Sequence, residues 1–114
     1  MVDQIYVFIG RRFTPIYMTV QHQVQPRAVE QTKQSIRELV NHVKIHEPLT
    51  TTYIAQQEIL NQSKFMHVFK FEDKTALATH QSSPASAHFV KAVYPETLRP
   101  VVFVEYNLIA TVDQ

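Results

Sequence analysis

Three histidines lie at positions from which they can line one pocket. His22 and His67 fall on the apolar faces of two alternating segments, and His80 follows Leu77 by three residues on the apolar side of a helical segment. A histidine in a pocket can act as a general base, because its pKa is near neutral and either ring nitrogen can carry the proton. We therefore predict His80, His67 and His22 as catalytic residues.

The same three histidines allow two other interpretations. Each is also a residue type that can lie in a core, with its ring bonded to the backbone or to water. A metal site is a sharper alternative, since imidazole suits Zn, Fe or Cu. Its ligands would have to converge from three separate elements, so we expect no metal. His42 and His46 share a helix face, but that face is not the apolar one, and we expect it to be solvated.

Apolar side chains on the same segments can form the walls of a pocket for a flat ligand. The expected substrate-pocket residues are Phe65, Phe69, Phe71, Met18 and Phe89. Tyr53 and Tyr106 can donate a hydrogen bond to a bound oxygen, but we place them at a dimer interface, where they would supply apolar area. We expect His88 to help restart the helix after Pro84.

Composition excludes several kinds of site. The 114 residues include no cysteine, which removes disulfides, thiolate metal sites and a cysteine nucleophile. The only glycine, Gly10, cannot by itself build a phosphate-binding loop, a dinucleotide fingerprint or a G-x-S-x-G turn. A net charge of +1 gives no reason to expect binding to nucleic acid or to an anionic membrane. The N-terminal apolar run is too short for a signal or a span, so we expect a cytoplasmic protein.

The pattern of apolar residues predicts the elements that position these side chains. Period-two alternation indicates a strand at 15–24, and helical spacing indicates an amphipathic helix at 28–45. A β-hairpin is expected from strands at 49–59 and 65–71. Helices are predicted at 73–80 and 85–98, interrupted at Ser83-Pro84, and a last strand at 101–112.

This order of elements predicts a fold class. Strand, helix, strand, strand, helix, strand is the β-α-β-β-α-β pattern of a ferredoxin-like α+β fold, with one antiparallel sheet and the helices on one face. We expect a single domain over residues 1–114, with 1–14 as an extra N-terminal strand or arm. The other sheet face, expected to carry Tyr53, Val102, Val104 and Tyr106, needs a cover, and we expect a second copy of the chain to provide it.

The segment "FMHVFKFEDKTALATHQSSP" followed by "HF" resembles antibiotic biosynthesis monooxygenase domains. In that family an aromatic strand leads through a Glu-Asp turn, here Glu72-Asp73, into a helix with a histidine, here His80, and then into Ser-Pro and His-Phe. "HEPLTTTY" is similar to the family's lead into its second strand, with Leu49 in place of a glycine. The resemblance implies a dimeric α+β barrel with a pocket between sheet and helices. Members oxidise polycyclic aromatics, quinols or related molecules, often without a metal or organic cofactor, and some cleave heme.

Two departures from the family pattern bear on the site. Ala85-Ser86-Ala87 is an insertion between the Ser-Pro and His-Phe pairs, which displaces His88 by about one helical turn. The heme-cleaving branch needs an asparagine, a tryptophan and a late histidine. Strand one here has no asparagine, Phe71 takes the tryptophan position, and Val93 or Tyr94 falls where that histidine would be. We therefore expect neither heme nor another bound cofactor.

The resemblance thus implies a small monooxygenase that oxidises an aromatic or quinol-type molecule with O₂. Deprotonation by a pocket histidine would make such a substrate electron-rich enough to reduce O₂ directly. Two alternatives stay open. One is a non-catalytic dimer that binds a small ligand or has a structural role, because fold does not fix function. The other is an isomerase or decarboxylase that uses a pocket histidine as acid and base.

Overall fold

The computed structural model describes residues 14–113, which form a four-stranded antiparallel sheet and three α-helices. In chain order the elements are β1 (Ile16–Gln23), α1 (Val29–His46), β2 (Thr50–Gln57), β3 (Lys64–Phe71), α2 (Lys74–Ser82), α3 (Pro84–Val93) and β4 (Val102–Tyr106). Short 3-10 turns lie at Pro26–Ala28 and Tyr94–Glu96. The predicted ferredoxin-like α+β fold is confirmed, with α2 and α3 together in the place of the second helix.

The sheet has the order β2-β3-β1-β4, so β1 and β3 are its two central strands. Val20 lies opposite His67, and His22 lies opposite Phe65. Residues that face each other across an antiparallel pair point to the same side of the sheet. The apolar face of β1 therefore continues into the aromatic face of β3, and both strand histidines point toward the helices.

The core lies between this face of the sheet and the helices. Its buried side chains form two clusters, one of Val24, Ala28, Ile36, Leu39, Phe65, Phe89 and Val93, the other of Ile16, Phe69, Phe71 and Ala76. Within residues 14–113 there is no helix whose length and apolar character would let it cross a bilayer.

One side-chain cap lies at the start of α2, and a second lies between α2 and α3. The Asp73 side chain accepts a hydrogen bond of 2.8 Å from the Ala76 N–H at the start of α2. Ser83 has extended dihedral angles because it precedes Pro84, and its hydroxyl caps α3 by accepting from the Ser86 N–H. The Ser86 hydroxyl in turn donates to the carbonyl oxygen of His80 at 2.6 Å. The Ser-Pro break therefore fixes the turn of α2 that carries His80.

Two predicted elements end earlier than expected. The last helix was predicted to reach residue 98 but ends at Val93, and a 3-10 turn that contains Pro95 follows it. The last strand was predicted over 101–112 but ends at Tyr106, opposite Tyr17. β1, its neighbour in the described sheet, begins at Ile16, so beyond residue 107 the register runs past the described end of β1. The predicted N-terminal strand or arm lies almost entirely outside the described residues.

The predicted position of Tyr53 is also wrong. Tyr53 lies opposite Phe69 and points toward the helices, whereas Tyr106 lies on the other face, as expected. The segment "TTTYIAQQ" has no continuous apolar face, so its alternation does not decide which side is buried. Pairing with β3, including an irregularity between Thr50 and Thr52, decides it.

Replacing Asp73 tests the capping account of α2. We expect Asp73→Ala to lower the free energy of unfolding by about 1 kcal/mol, because the Ala76 N–H loses its acceptor. Asp73→Asn keeps a side-chain oxygen and is the matched control, with a much smaller effect. Urea denaturation followed by circular dichroism measures both. An equal loss in the two variants would contradict capping as the cause.

Candidate functional site

A cavity of about 280 Å³ lies between the helix-facing side of the sheet and helices α2 and α3. Its lining includes Tyr53, His67, Phe69, His80, Phe89 and Phe103. This volume is just below the range of roughly 300–1,000 Å³ typical of ligand pockets, so the cavity suits a small flat ligand. Larger depressions, of about 430 and 690 Å³, lie at the two ends of β1. The central cavity brings two histidines, two tyrosines and several phenylalanine rings together.

Glu47 holds the ring of His80. The His80 Nδ1 lies 2.9 Å from Glu47 Oε1, and the Thr50 hydroxyl donates to the same oxygen at 3.2 Å. The second oxygen, Oε2, lies 3.3 Å from His42 Nε2, a distance that allows an ion pair, although the atoms are not aligned for a hydrogen bond. Glu47 is only 5% exposed, so the fold buries a carboxylate and supplies partners for it.

The Glu47 contact selects the tautomer of His80. A carboxylate accepts hydrogen bonds, so the neutral ring must carry its proton on Nδ1. The Nε2 atom is then unprotonated, and it has no hydrogen-bond partner among residues 14–113. His80 also lies against Phe69 and Phe71, with ring centroids 5.0 and 5.5 Å away. The arrangement is that of an oriented base in apolar surroundings.

Local sequence explains why Glu47 reaches this position. α1 ends at His46, and Pro48 disfavours continued helix at Glu47, which becomes the C-terminal cap of the helix. Its backbone N–H donates to the Val43 carbonyl at 2.9 Å, so the residue is held against the last turn of α1. The side chain is thereby buried next to α2 rather than extended into solvent.

A second hydrogen-bonded chain crosses the sheet beside this pair. His22 Nε2 lies 2.8 Å from His67 Nε2, and His67 Nδ1 lies 2.7 Å from the Tyr53 hydroxyl. The contact between two Nε2 atoms holds one proton, with one ring donating and the other accepting. The accepting ring must therefore be neutral.

Burial keeps both rings neutral. It lowers the pKa of His22 to about 4 and is the largest cause that lowers the pKa of His67 to about 3, with His22 and His80 adding to the effect. Burial, and then the charge of Glu47, raise the pKa of Tyr53. At neutral pH the hydrogen-bonded series His22–His67–Tyr53 therefore consists of two uncharged imidazoles and a protonated phenol.

The structure brings four of the predicted site residues to the cavity. His67, His80, Phe69 and Phe89 line it. His22 does not line the cavity, but it is hydrogen-bonded to His67, which does.

The other predicted wall residues pack beside the cavity instead. Phe65 stacks on His22 with ring centroids 5.5 Å apart, and Phe71 is buried in the core. Met18 is half-buried and packs against the second core cluster.

The remaining histidines lie outside the cavity. His88 and His46 are exposed. His42 was expected on a solvated face, but it lies beside Glu47 with about a quarter of its side chain exposed. Among residues 14–113, no group of three or more histidine, aspartate or glutamate side chains is arranged to hold a metal ion.

Sequence analysis missed one residue and misplaced another. Glu47 was interpreted only as part of the Glu-Pro stop of α1, although the segment "HEPLTTTY" was among those that resemble the family. Its partner His80 is 33 residues away, and nothing in the local pattern links the two. Tyr53 was considered as a donor to a bound oxygen but was assigned to the wrong face.

The neutral histidines predict a pH dependence of stability. The folded-state pKa values of His22 and His67 lie below the ordinary 6.5, so the unfolded chain binds more protons as the pH falls. Stability should therefore decrease from about pH 6.5 toward pH 4, by about 1–2 kcal/mol per histidine at pH 5. Urea unfolding at pH 7.5 and pH 5 measures this. The dependence should shrink in His22→Phe and stay unchanged in His88→Gln, and an equal dependence in His22→Phe and the wild type would contradict the account.

Comparisons with known proteins bear on the fold. The sequence matches no family model, and no curated protein is significantly similar to it. Solved structures do match. An antibiotic biosynthesis monooxygenase superimposes with a TM-score of 0.78 at 19% identity, covering 83% of this chain and 99% of the other.

Two further structures agree with the first. A candidate antibiotic biosynthesis monooxygenase from Caulobacter crescentus gives a TM-score of 0.80 at 15% identity, covering 92% of this chain and 99% of its own. One from Nitrosomonas europaea gives 0.74 at 19% identity, covering 83% and 90%. At such identities the likeness concerns the fold, and the chain therefore has the fold of the antibiotic biosynthesis monooxygenases, as the resemblance in sequence predicted.

Proposed function

We propose that the protein is a small cytoplasmic monooxygenase, acting as a homodimer, in which His80 removes a proton from an aromatic or quinol-type substrate that then reacts with O₂. The observation that carries the proposal is the hydrogen bond from His80 to the buried Glu47, at the edge of an apolar cavity. The shared fold of the solved monooxygenases supports the same reaction class.

The Glu47–His80 pair has the features that a general base needs. The carboxylate orients the ring and stabilises the imidazolium that forms when Nε2 takes up a proton. Phe69 and Phe89 surround the site with apolar surface, where these electrostatic interactions are stronger than in water. A substrate proton presented to Nε2 can therefore be removed.

The proposed reaction balances without an added reductant. For an anthrone-like substrate, the base removes a proton from the ring methylene, and the resulting electron-rich anion transfers electrons to O₂. One oxygen atom forms a new carbonyl group, and the other leaves as water with the two hydrogens of the former methylene. All four electrons come from the substrate, so the proposal requires no bound cofactor.

The residues of the cavity also suit a second reaction. Tyr53 and His80 both line the cavity, with ring centroids 6.1 Å apart, which places a donor and a base around one ligand. Enolisation of a small oxo-compound needs that combination and consumes no O₂. An isomerase is therefore the second candidate function.

The open face of the sheet supports the homodimer. One row of facing residues crosses all four strands: Ile54, Val68, Thr19 and Val104. Ile54, Val102 and Tyr106 are each about half exposed. A sheet face that leaves such apolar side chains half exposed is usually covered by another surface, and a second copy pairing face to face would bury them.

Oxygen uptake by purified variants tests the proposed reaction. With a panel of naphthoquinols and anthrone-like phenols, we expect the wild type to consume O₂ and His80→Ala to lower kcat/KM by about 10²- to 10⁴-fold, the usual contribution of a general base. Glu47→Gln should cause a smaller loss, because the ring is kept but its partner no longer carries a charge. His88→Ala is the matched control, since His88 is exposed and outside the cavity.

Each outcome of this experiment has a distinct meaning. If His80→Ala consumed O₂ at the wild-type rate, His80 would not be the base. Activity lost on dialysis against a chelator and restored by a metal ion would overturn cofactor independence. Proton exchange at an α-carbon without O₂ uptake would favour the isomerase, and tight binding without either reaction would favour a binding module.

Sedimentation velocity tests the dimer. We expect the wild type to sediment as a dimer and Val104→Glu to shift toward monomer, because a charge is placed in the apolar row. Ile45→Glu is the control, since Ile45 is exposed on α1, away from the sheet. A wild type that is monomeric at every concentration would contradict the assignment.

A further inference from the structure

We propose that Tyr53 is the hydrogen-bond donor that holds the substrate's oxygen atom in the cavity, and that His67 and His22 are positioning residues that direct its proton there. That the bound ligand is a substrate rests on the proposed function. The donor geometry itself depends only on the hydrogen bonds of the described residues.

Two arrangements of protons satisfy the chain from Tyr53 to His22. In the first, Tyr53 donates to His67 Nδ1, and His67 Nε2–H donates to His22 Nε2. In the second, His22 Nε2–H donates to His67 Nε2, and His67 Nδ1–H donates to the Tyr53 oxygen. Both use the same distances of 2.8 and 2.7 Å, so distance does not distinguish them.

The His22 end of this hydrogen-bonded series distinguishes the two arrangements. His22 Nδ1 is buried and has no hydrogen-bond partner among the described residues. The first arrangement puts a proton on this atom and leaves a buried N–H without an acceptor. The second leaves only an unprotonated lone pair there, and the donor without a partner is then the O–H of Tyr53, a residue that lines the cavity. Buried N–H groups without a partner are rarer in proteins than acceptors that lack one, so the second arrangement is favoured.

The second arrangement has a consequence for the cavity. When the Tyr53 oxygen accepts from His67, its own O–H no longer points at that ring and is available to a ligand. Tyr53 lines the cavity together with His80, which presents an acceptor nitrogen. One ligand can thus have its oxygen bound by Tyr53 while it gives up a proton to His80.

This pairing defines a class of ligand. It must carry an oxygen conjugated to the site of deprotonation, so that negative charge develops on the oxygen as the proton leaves. Phenols, quinols and enolisable ketones meet this condition. A donor already aimed at that oxygen stabilises the charge without having to reorient.

The groups around Tyr53 are consistent with a donor. Besides His67, its ring stacks on Phe69 at 4.2 Å between centroids and lies edge-on to His80. Burial and the charge of Glu47 raise its pKa, so it keeps its proton at neutral pH. The phenol therefore acts as a neutral donor and does not compete with His80 as a base.

Nitrogen-15 NMR of the histidine rings at pH 7.5 tests the proton arrangement in the full chain. We expect His22 to be the tautomer protonated on Nε2 and His67 the tautomer protonated on Nδ1. The opposite pair of tautomers would overturn the inference, because Tyr53 would then donate to His67 and not into the cavity. This readout does not depend on any catalytic activity.

Ligand binding tests the donor itself. The probes are 2-naphthol and naphthalene, which differ by one hydroxyl group. We expect the wild type to prefer 2-naphthol and Tyr53→Phe to lose about five- to tenfold of that preference, the value of one net hydrogen bond. Tyr106→Phe is the matched control, because Tyr106 lies on the opposite face of the sheet. An unchanged preference in Tyr53→Phe would overturn the proposal.

The two proposals can fail separately. If 2-naphthol binding depends on Tyr53 but no substrate in the panel consumes O₂, the donor role stands and the monooxygenase reaction fails. If O₂ uptake depends on His80 but neither binding preference nor KM changes in Tyr53→Phe, the reaction stands and the donor role fails.

Discussion

The antiparallel pairing of β1 with β3 is the constraint on which the candidate site depends. It places Val20 opposite His67 and His22 opposite Phe65, so that both histidines point to the helix-covered side of the sheet. Side chains alternate along a strand, and a slip of one residue would move every one of these groups to the other face. The His22–His67 contact of 2.8 Å exists only in this register. The same register lets β3 determine which face of β2 is buried, and thereby brings Tyr53 to His67.

The burial of Glu47 is the second constraint, and it links three elements. A carboxylate removed from water is costly unless other groups bond to it. Here the end of α1 supplies the carboxylate, α2 supplies His80, and the start of β2 supplies the hydroxyl of Thr50. Removing one partner would leave the others buried without compensation. The network that orients the proposed base is thus also part of what holds α2 against the rest of the fold.

The two hydrogen-bonded groups have different electrostatic characters, which suits different roles. The His80–Glu47 pair includes a charge, and a positive charge that forms on the ring is stabilised by the carboxylate. The His22–His67–Tyr53 chain is neutral, because burial lowers the pKa of both histidines. A site with one group that accepts a proton and one that donates a hydrogen bond can serve several reactions. The fold is shared with solved monooxygenases, but the choice of reaction depends on these side chains.

The sequence by itself determined the order of the elements, the ferredoxin-like fold and the direction of His22, His67 and His80 toward the space between sheet and helices. Each of these follows from periodicity or from capping, which act over a few neighbouring residues. Only the tertiary structure decided the face of Tyr53 and the partners of the histidines. "TTTYIAQQ" carries no apolar alternation, and Glu47 lies 33 residues from His80 while His22 lies 45 from His67. Contacts at such separations depend on strand register and helix packing, which no local pattern contains.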